Sequence, residues 1–161
     1  MKMIELRQFG FPEALIGNWI REKNENLLPL QEKALREFGI FEGKSLLISS
    51  PTSSGKTFVG ELAAVRTALK GARVIYLLPL KALAEEKHLE FINTYGEYGM
   101  SLAISSRDHH EFDGRIERGE FDMAVIVYEK LMSILIHSPP LVSRQIRVVE
   151  GHAWWCSTRC R

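Results

Sequence analysis

The chain has 161 residues, of which 45% are hydrophobic and 25% are charged, a composition typical of one globular domain with its own core. The formal net charge of +1 is not the basic average of many nucleic-acid-binding domains, although a neutral chain can still carry a basic groove. No apolar run approaches the roughly 20 residues that span a bilayer, and the N-terminus lacks the apolar stretch of a secretory signal. Cys156 and Cys160 both lie near the C-terminus, which does not indicate a disulfide-stapled secreted domain, so a cytoplasmic protein without a membrane span is expected.

The first part of the chain predicts two helices. Apolar residues lie on one stripe of residues 12–22, and a second amphipathic stretch over residues 30–38 ends near Gly39. We assign residues 1–43 as a helical segment that belongs to the same domain as the residues after it.

From residue 44 onward, apolar strand patterns alternate with helical patterns. The predicted strands are residues 45–49, 73–77, 100–104, 123–127 and 146–149, and the predicted helices are residues 58–69, 81–95 and 129–136. The polar stretch 105–119 is predicted as an irregular surface connection. Strands that alternate with helices in this way predict an α/β domain over residues 44–150, in which helices cover both faces of a parallel sheet. Residues 151–161 have neither period and are predicted to be an irregular tail.

A phosphate-binding loop follows the first predicted strand and opens the next helix. Its residues are Pro51, Thr52, Ser53, Ser54, Gly55, Lys56 and Thr57. Backbone N–H groups at a helix start bind phosphate, and a glycine permits close approach of the backbone. In such loops the lysine reaches the β- and γ-phosphates and the hydroxyl binds Mg²⁺, so ATP and Mg²⁺ are the predicted cofactors, with Lys56 and Thr57 in those roles. The usual pattern begins with Gly, and Ser50 stands at that position.

Two further stretches resemble motifs of DExH-box helicases. The run Leu28-Pro29-Leu30-Gln31 resembles the Q-motif, in which glutamine reads the adenine edge through its amide, and this implies that role for Gln31. The run from Leu78 to Lys87 is similar to motif Ia of the Ski-like and archaeal Hjm-like branch of superfamily 2. That resemblance implies that Pro79, Lys81 and Lys87 contact the nucleic-acid backbone.

A third stretch after the fourth predicted strand completes the resemblance. Tyr128-Glu129-Lys130-Leu131 is similar to the Thr-x-Glu-Lys element of the same helicases, with Val127 at the threonine position, and implies that Glu129 and Lys130 contact nucleic acid. The chain therefore resembles the first RecA-like domain of such a helicase. The implied fold is a single RecA-like P-loop domain. The implied activity is ATP-dependent translocation and strand separation, and the implied partners are single-stranded or branched DNA, or RNA, and a second RecA-like domain.

The resemblance departs from the family at the fifth predicted strand. The family carries Asp-Glu-x-His there, whereas this chain reads Val149-Glu150-Gly151-His152, so valine replaces the metal-holding aspartate. Glu150 stays as the implied base and indirect Mg²⁺ ligand. We therefore expect a chain that binds ATP and Mg²⁺ but does not unwind nucleic acid by itself. The alternatives are a non-enzymatic nucleic-acid- or partner-binding fragment and a P-loop NTPase switch of another class.

Overall fold

The computed structural model describes residues 1–42, 44, 46–51, 53–106, 111–137 and 146–150, with the backbone alone at residues 137, 147 and 150. Within these residues the chain forms short 3-10 helices at Met3–Phe9 and Gly96–Tyr98, together with α-helices and strands. The α-helices are α1 (Glu13–Glu22), α2 (Pro29–Arg36), α3 (Lys56–Leu69), α4 (Lys81–Tyr95), α5 (Asp113–Arg118) and α6 (Tyr128–His137). The strands are β1 (Arg73–Leu78), β2 (Leu102–Ser105), β3 (Met123–Val127) and β4 (Ile146–Glu150). No helix in this part of the chain is long and apolar enough to cross a membrane.

The four described strands form one parallel sheet in the order β2-β3-β1-β4. In the centre of the sheet, Tyr76 of β1 lies opposite Val125 of β3 on one side and Val149 of β4 on the other. Parallel neighbours cannot be joined by tight hairpins, so each connection must cross over the sheet, and helices make these crossovers. The predicted α/β fold is confirmed.

Alternate strand residues divide the core into two parts, one on each face of the sheet. Val74, Tyr76 and Leu78 face a large core that includes buried residues of α1, α3 and α4. Ile75 and Leu77 face a smaller core with buried residues of α5 and α6. This period-2 division is the pattern of a sheet that is covered on both faces, as predicted.

The N-terminal helices belong to the large core. Trp19 of α1 is fully buried and packs edge-on against Phe58 of α3, with ring centroids 5.4 Å apart. Met3 and Leu6 of the first 3-10 helix, which the sequence analysis did not predict, are buried in the same cluster. These helices therefore pack on the helix that follows the phosphate-binding loop. The exact boundaries assigned to the segment 1–43 stay a prediction, and residues 151–161 lie outside the described residues.

Two sequence-based predictions of local structure are wrong. Residues 46–49 form no strand, and no described strand pairs with them. An apolar run becomes a strand only when a neighbour accepts its backbone hydrogen bonds, and here Ile48 is buried without such pairing while Leu47 is 70% exposed. Part of the predicted irregular stretch 105–119 is the helix α5, whose residue Ile116 is buried in the smaller core.

Candidate nucleotide-binding and nucleic-acid-binding sites

The phosphate-binding loop ends in two left-handed turns of the backbone. Ser53 has a φ of 65° and Gly55, the residue before α3, has a φ of 83°. Turns of this kind point successive N–H groups toward one side and create an anion-binding concavity. The first N–H groups of any α-helix have no acceptor within the helix, and at the start of α3 no side-chain cap accepts them either. The backbone therefore has the donors that a phosphate requires.

The side chain of Lys56 lies folded against the loop. Its Nζ donates to the carbonyl of Ser50 and, over 2.7 Å, to the carbonyl of Pro51. Ser54 Oγ also donates to the Pro51 carbonyl, over 2.8 Å, and lies 2.6 Å from Ser50 Oγ. Since a hydroxyl has one proton, Ser50 is the donor in that last contact. The serine at the position of the usual glycine thus stabilises the loop through its hydroxyl.

Gln31 is buried and connects α2 to the loop. Its Oε1 accepts the N–H of Leu28 over 2.8 Å, and its Nε2 donates to the carbonyl of Gly55 over 3.3 Å. The side-chain amide is therefore held beside the predicted phosphate-binding loop, at 6% exposure. Its predicted contact with adenine stays a prediction.

The structure describes the two predicted Mg²⁺ residues to different extents. The side chain of Thr57 is exposed on the first turn of α3, beside Lys56. The backbone of Glu150 ends β4 opposite Leu77, and its side chain is outside the described residues, as is Thr52 of the loop. Val149, one position earlier, is 1% exposed and packs in the large core on the α3 side of the sheet.

The predicted nucleic-acid residues follow the carboxyl ends of neighbouring strands. Pro79 and Lys81 come directly after β1 and are exposed, and Lys81 forms an ion pair with Glu85 over 3.6 Å. Glu129 and Lys130 come directly after β3. Parallel neighbouring strands end at the same edge of a sheet, so these residues lie along one edge.

Lys130 is held in a polar cluster at this edge. Its Nζ lies 2.6 Å from Asp113 Oδ2, and the other oxygen of Asp113 accepts the hydroxyl of Ser105 over 2.5 Å. The cluster joins Ser105 at the end of β2 and Lys130 just after β3 to Asp113 at the start of α5. Because Lys130 is already paired with a carboxylate, a nucleic-acid phosphate would compete with Asp113 for its ammonium group.

The loop lies toward the same edge. Helix α3 packs on β1, and only residues 70–72 connect the end of the helix to the start of the strand. Because this connection is so short, α3 and β1 run in opposite directions. The start of α3 therefore lies toward the carboxyl ends of the strands, the end at which open α/β sheets bind ligands.

Comparison with known proteins identifies the family. Residues 28–150 match the DEAD/DEAH box helicase family. The chain belongs to this family. The ATP-dependent DNA helicase Hel308 of Pyrococcus horikoshii is 40% identical over 151 residues, covering 92% of this chain and 20% of that protein. Hel308 of Pyrobaculum calidifontis is 42% identical over 113 residues, covering 70% of this chain and 15% of that protein.

A solved structure supports the fold of this helicase domain. The crystal structure of a hypothetical ATP-dependent RNA helicase from Sulfolobus tokodaii matches with a TM-score of 0.64 at 18% identity, covering 86% of this chain and 41% of that chain. The RecA-like fold expected from the sequence is thereby confirmed. The chain spans only 15% and 20% of the length of the two relatives described above, so the activity of a whole helicase is a matter for proposal.

Lys87 is in a different place from the one its predicted role requires. It is 8% exposed, and its Nζ lies 3.2 Å from Glu61 Oε2 and 2.7 Å from Glu90 Oε2. An ammonium group that is buried between two carboxylates does not face a nucleic-acid phosphate. In this helicase domain Lys87 holds α4 against α3, and the predicted phosphate contact does not fit this placement.

A buried polar network surrounds Glu61 of α3 and was not predicted from the sequence. Glu61 is 1% exposed and accepts the hydroxyl of Tyr95, which in turn accepts the indole N–H of Trp19 over 3.1 Å. Burial, and then the charge of Glu61, raise the pKa of Tyr95 well above its usual value. The available signal was a single acid within the otherwise apolar stretch 58–65, which predicts a buried and paired carboxylate.

Proposed function

We propose that this chain is the ATP-binding domain of an ATP-dependent helicase that acts on DNA. The observation that carries the proposal is the uncapped start of α3 at Lys56, preceded by the left-handed turns at Ser53 and Gly55. Membership of the DEAD/DEAH box helicase family supports the same ligand.

The residues of the loop would divide the work of binding. Backbone N–H groups from Ser53 to Thr57 would bind the phosphates, with Pro51, Thr52 and Ser54 shaping the turn. Lys56 would exchange its two carbonyl acceptors for phosphate oxygens, and the Thr57 hydroxyl would hold Mg²⁺. When bound, Mg²⁺ neutralises charge on the phosphates. Gln31 lies beside Gly55 and uses one N–H and one lone pair of its amide in the contacts described above. Its second N–H and second lone pair would bind the adenine edge.

Hydrolysis is expected to be weak in this chain. Glu150 is the proposed base and indirect Mg²⁺ ligand, but Val149 supplies no carboxylate on the α3 side of β4. The loss of one preorganised electrostatic contact typically lowers the rate by about 10²–10³-fold. We therefore propose nucleotide binding with slow turnover.

Single-stranded or branched DNA is the proposed partner, with RNA as the alternative. The carboxyl edge of the sheet carries four of the residues predicted to contact nucleic acid, Pro79, Lys81, Glu129 and Lys130. The start of α4 offers N–H groups to a phosphate. The relatives are named DNA helicases, which favours DNA. Strand separation would require closure against a second RecA-like domain.

One observation favours a second candidate, a nucleic-acid-binding fragment without catalysis. It is the buried Val149 at the position of the family's aspartate. A P-loop switch of another class has no such support, because the family match covers residues 28–150.

Thermal unfolding tests nucleotide binding directly. Mg-ATP at about 100 times its dissociation constant should raise the free energy of unfolding by roughly 2.7 kcal/mol. Lys56→Ala should abolish this shift, whereas Lys70→Ala, an exposed lysine just beyond the other end of α3, should retain it. An equal shift in wild type and Lys56→Ala, or a cooperative transition with no shift in wild type, would contradict the proposal.

Fluorescence anisotropy with labelled single strands tests nucleic-acid binding. Binding should weaken with salt, and Lys81→Ala should reduce the salt slope by about one unit if Lys81 contacts a phosphate. Lys33→Ala, which changes an exposed lysine on α2, is the matched control. DNA and RNA strands of the same sequence, titrated side by side, distinguish the two proposed partners.

A further inference from the structure

One buried carboxylate joins three helices of the domain. Glu61 lies on α3, the helix that follows the phosphate-binding loop. Its Oε1 accepts the hydroxyl of Tyr95, and its Oε2 lies 3.2 Å from the Nζ of Lys87, both on α4. Trp19 of α1 donates to Tyr95, and Lys23, just beyond α1, lies 3.7 Å from Glu61 Oε2. Both carboxylate oxygens therefore have partners.

The pair of Glu61 and Lys87 lies close to both proposed binding sites. At a rise of 1.5 Å per residue, Glu61 is about 7–8 Å along α3 from Lys56, and Lys87 is about 9 Å along α4 from Lys81. Lys56 begins the helix that would bind phosphate, and Lys81 begins the helix that would bind the nucleic-acid strand. A shift of α3 on nucleotide binding would thus reach α4 through the contacts of Glu61 with Lys87 and Tyr95.

Stability alone does not explain this pair. A buried ion pair loses hydration on both groups, and well-packed apolar side chains of similar volume often stabilise a fold as well or better. A charged, hydrogen-bonded contact differs from an apolar one because it is directional. The Tyr95 hydroxyl and the Lys87 ammonium fix where the carboxylate sits, and therefore fix α3 relative to α4.

We propose that Glu61 is a positioning residue that couples nucleotide binding at the loop to single-strand binding at the start of α4. The inference rests on the proposed function, since it requires both ligands to bind. The Glu61 carboxylate holds the two helices in one relative position, so a loop ordered by nucleotide sets the start of α4 for the strand. Removal of the carboxylate leaves each site formed but lets the two helices adjust independently.

The test is a thermodynamic cycle with the 161-residue chain. The dissociation constant of a labelled DNA strand is measured with and without Mg-ATP, and that of Mg-ATP with and without the strand. In wild type each ligand should change the affinity of the other by the same factor, about 5-fold or more. The reciprocal equality checks that the factor is a true coupling.

Glu61→Leu is the decisive variant. Lys87 keeps its contact with Glu90, whereas the Tyr95 hydroxyl still accepts the indole N–H of Trp19 but loses the acceptor of its own proton. We expect the coupling factor to fall below about 2, while each ligand alone binds within about 3-fold of wild type. Glu61→Gln, which can still accept the Tyr95 hydroxyl, should restore part of the coupling. It also keeps the test decisive if the leucine variant does not fold.

Thr67→Val is the matched control, because it removes a buried hydrogen bond within α3, to the carbonyl of Ala63. Retained coupling in Glu61→Leu, equal loss in Thr67→Val, or a wild type that binds both ligands without coupling would each overturn the proposal. A wild type that binds neither ligand would show in the single-ligand titrations. That result would overturn the proposed function, and the coupling with it.

Discussion

The side-chain amide of Gln31 and the carbonyl of Gly55 are joined by a hydrogen bond of 3.3 Å. A Cβ on Gly55 would lie 2.2 Å from the same nitrogen of Gln31 and 2.8 Å from Cδ1 of Leu28. The glycine thus has two functions in the domain. It adopts the left-handed backbone at the start of α3, and it leaves room for the glutamine.

Gly55→Ala is expected to destabilise the fold by more than its backbone cost alone. A left-handed alanine costs about 1–2 kcal/mol, and the displaced Gln31 amide should add about 1 kcal/mol or more. Gly71→Ala is the matched control, because Gly71 has a φ of 76° and a Cβ there would meet no atom within 4 Å. Urea denaturation of both variants measures the difference. Equal losses would show that the Gln31 contact does not stabilise the loop.

The double variant Gly55→Ala/Gln31→Ala separates strain from lost bonding. When the side chain that the new Cβ meets is shortened, part of the stability lost in Gly55→Ala should return. Two residues in direct contact are expected to be non-additive by about 0.5–3 kcal/mol. Strict additivity in the same denaturation experiment would contradict the crowding that the structure shows.

Substitution by phenylalanine should change the free energy of unfolding in opposite directions at Tyr76 and at Tyr95. Both are fully buried, but the Tyr76 hydroxyl has no hydrogen-bond partner in the described part of the chain, whereas the Tyr95 hydroxyl binds Glu61 and Trp19. Tyr76→Phe should raise the free energy of unfolding by about 1 kcal/mol, because a buried hydroxyl without a partner is costly. Tyr95→Phe should lower it by about 1–3 kcal/mol. Chemical denaturation of the two variants checks both signs.

Alkaline pH should destabilise the domain through the same two tyrosines. Burial, and then the nearby carboxylates, raise the pKa of both hydroxyls above their usual value, so the folded chain keeps protons that the unfolded chain loses. Above the unfolded pKa of 10.0, the free energy of unfolding should therefore fall with pH. The slope is at most about 1.4 kcal/mol per pH unit for each tyrosine.

The phenylalanine variants provide the control for this pH dependence. All other groups that titrate are common to wild type and Tyr76→Phe, so the difference between the two curves isolates Tyr76. We expect the variant to have the shallower slope between pH 10 and 11, measured by thermal unfolding. Parallel curves would mean that Tyr76 ionises equally easily in both states.

The sequence was sufficient to predict elements with a long or strong local pattern. Helix α4 and strand β3 both begin and end at the predicted residues. A long amphipathic stretch, or a short apolar run between turn signals, can be assigned with little knowledge of the tertiary structure. The loop at residues 51–57 was predicted from residue types alone, and its phosphate-binding role stays a prediction. Its contact with Gln31 was not predicted, since nothing local indicates which side chain lies above a glycine.

The remaining differences come from tertiary partners. Residues 46–49 have the composition of a strand, but strand formation depends on a neighbour that a local pattern cannot reveal. Helix α5 is too short to show a period, and its buried apolar residue is Ile116. Lys87 was assigned to nucleic acid from its motif. Its burial depends on Glu61, which lies on another helix.

The face of β4 on which a carboxylate lies should decide whether it can serve the nucleotide. Val149 packs in the core on the α3 side, and Val148 packs in the core on the opposite side, as adjacent strand residues must. Val149→Asp should destabilise the ligand-free chain by several kcal/mol, because it buries an unpaired charge. Mg-ATP should then recover more stability in this variant than in wild type, and the gain should depend on Mg²⁺.

Val148→Asp places the same carboxylate one residue away, on the wrong face of the sheet, and should show no such gain. An aspartate inserted after Val149 should also fail unless the strand shifts its register, since one added residue moves every later side chain to the other face. Thermal unfolding with ATP, at a series of Mg²⁺ concentrations, compares all three variants. If Val148→Asp gains as much as Val149→Asp, the α3 side of β4 is not the metal side, and the aspartate replaced by Val149 cannot explain weak hydrolysis.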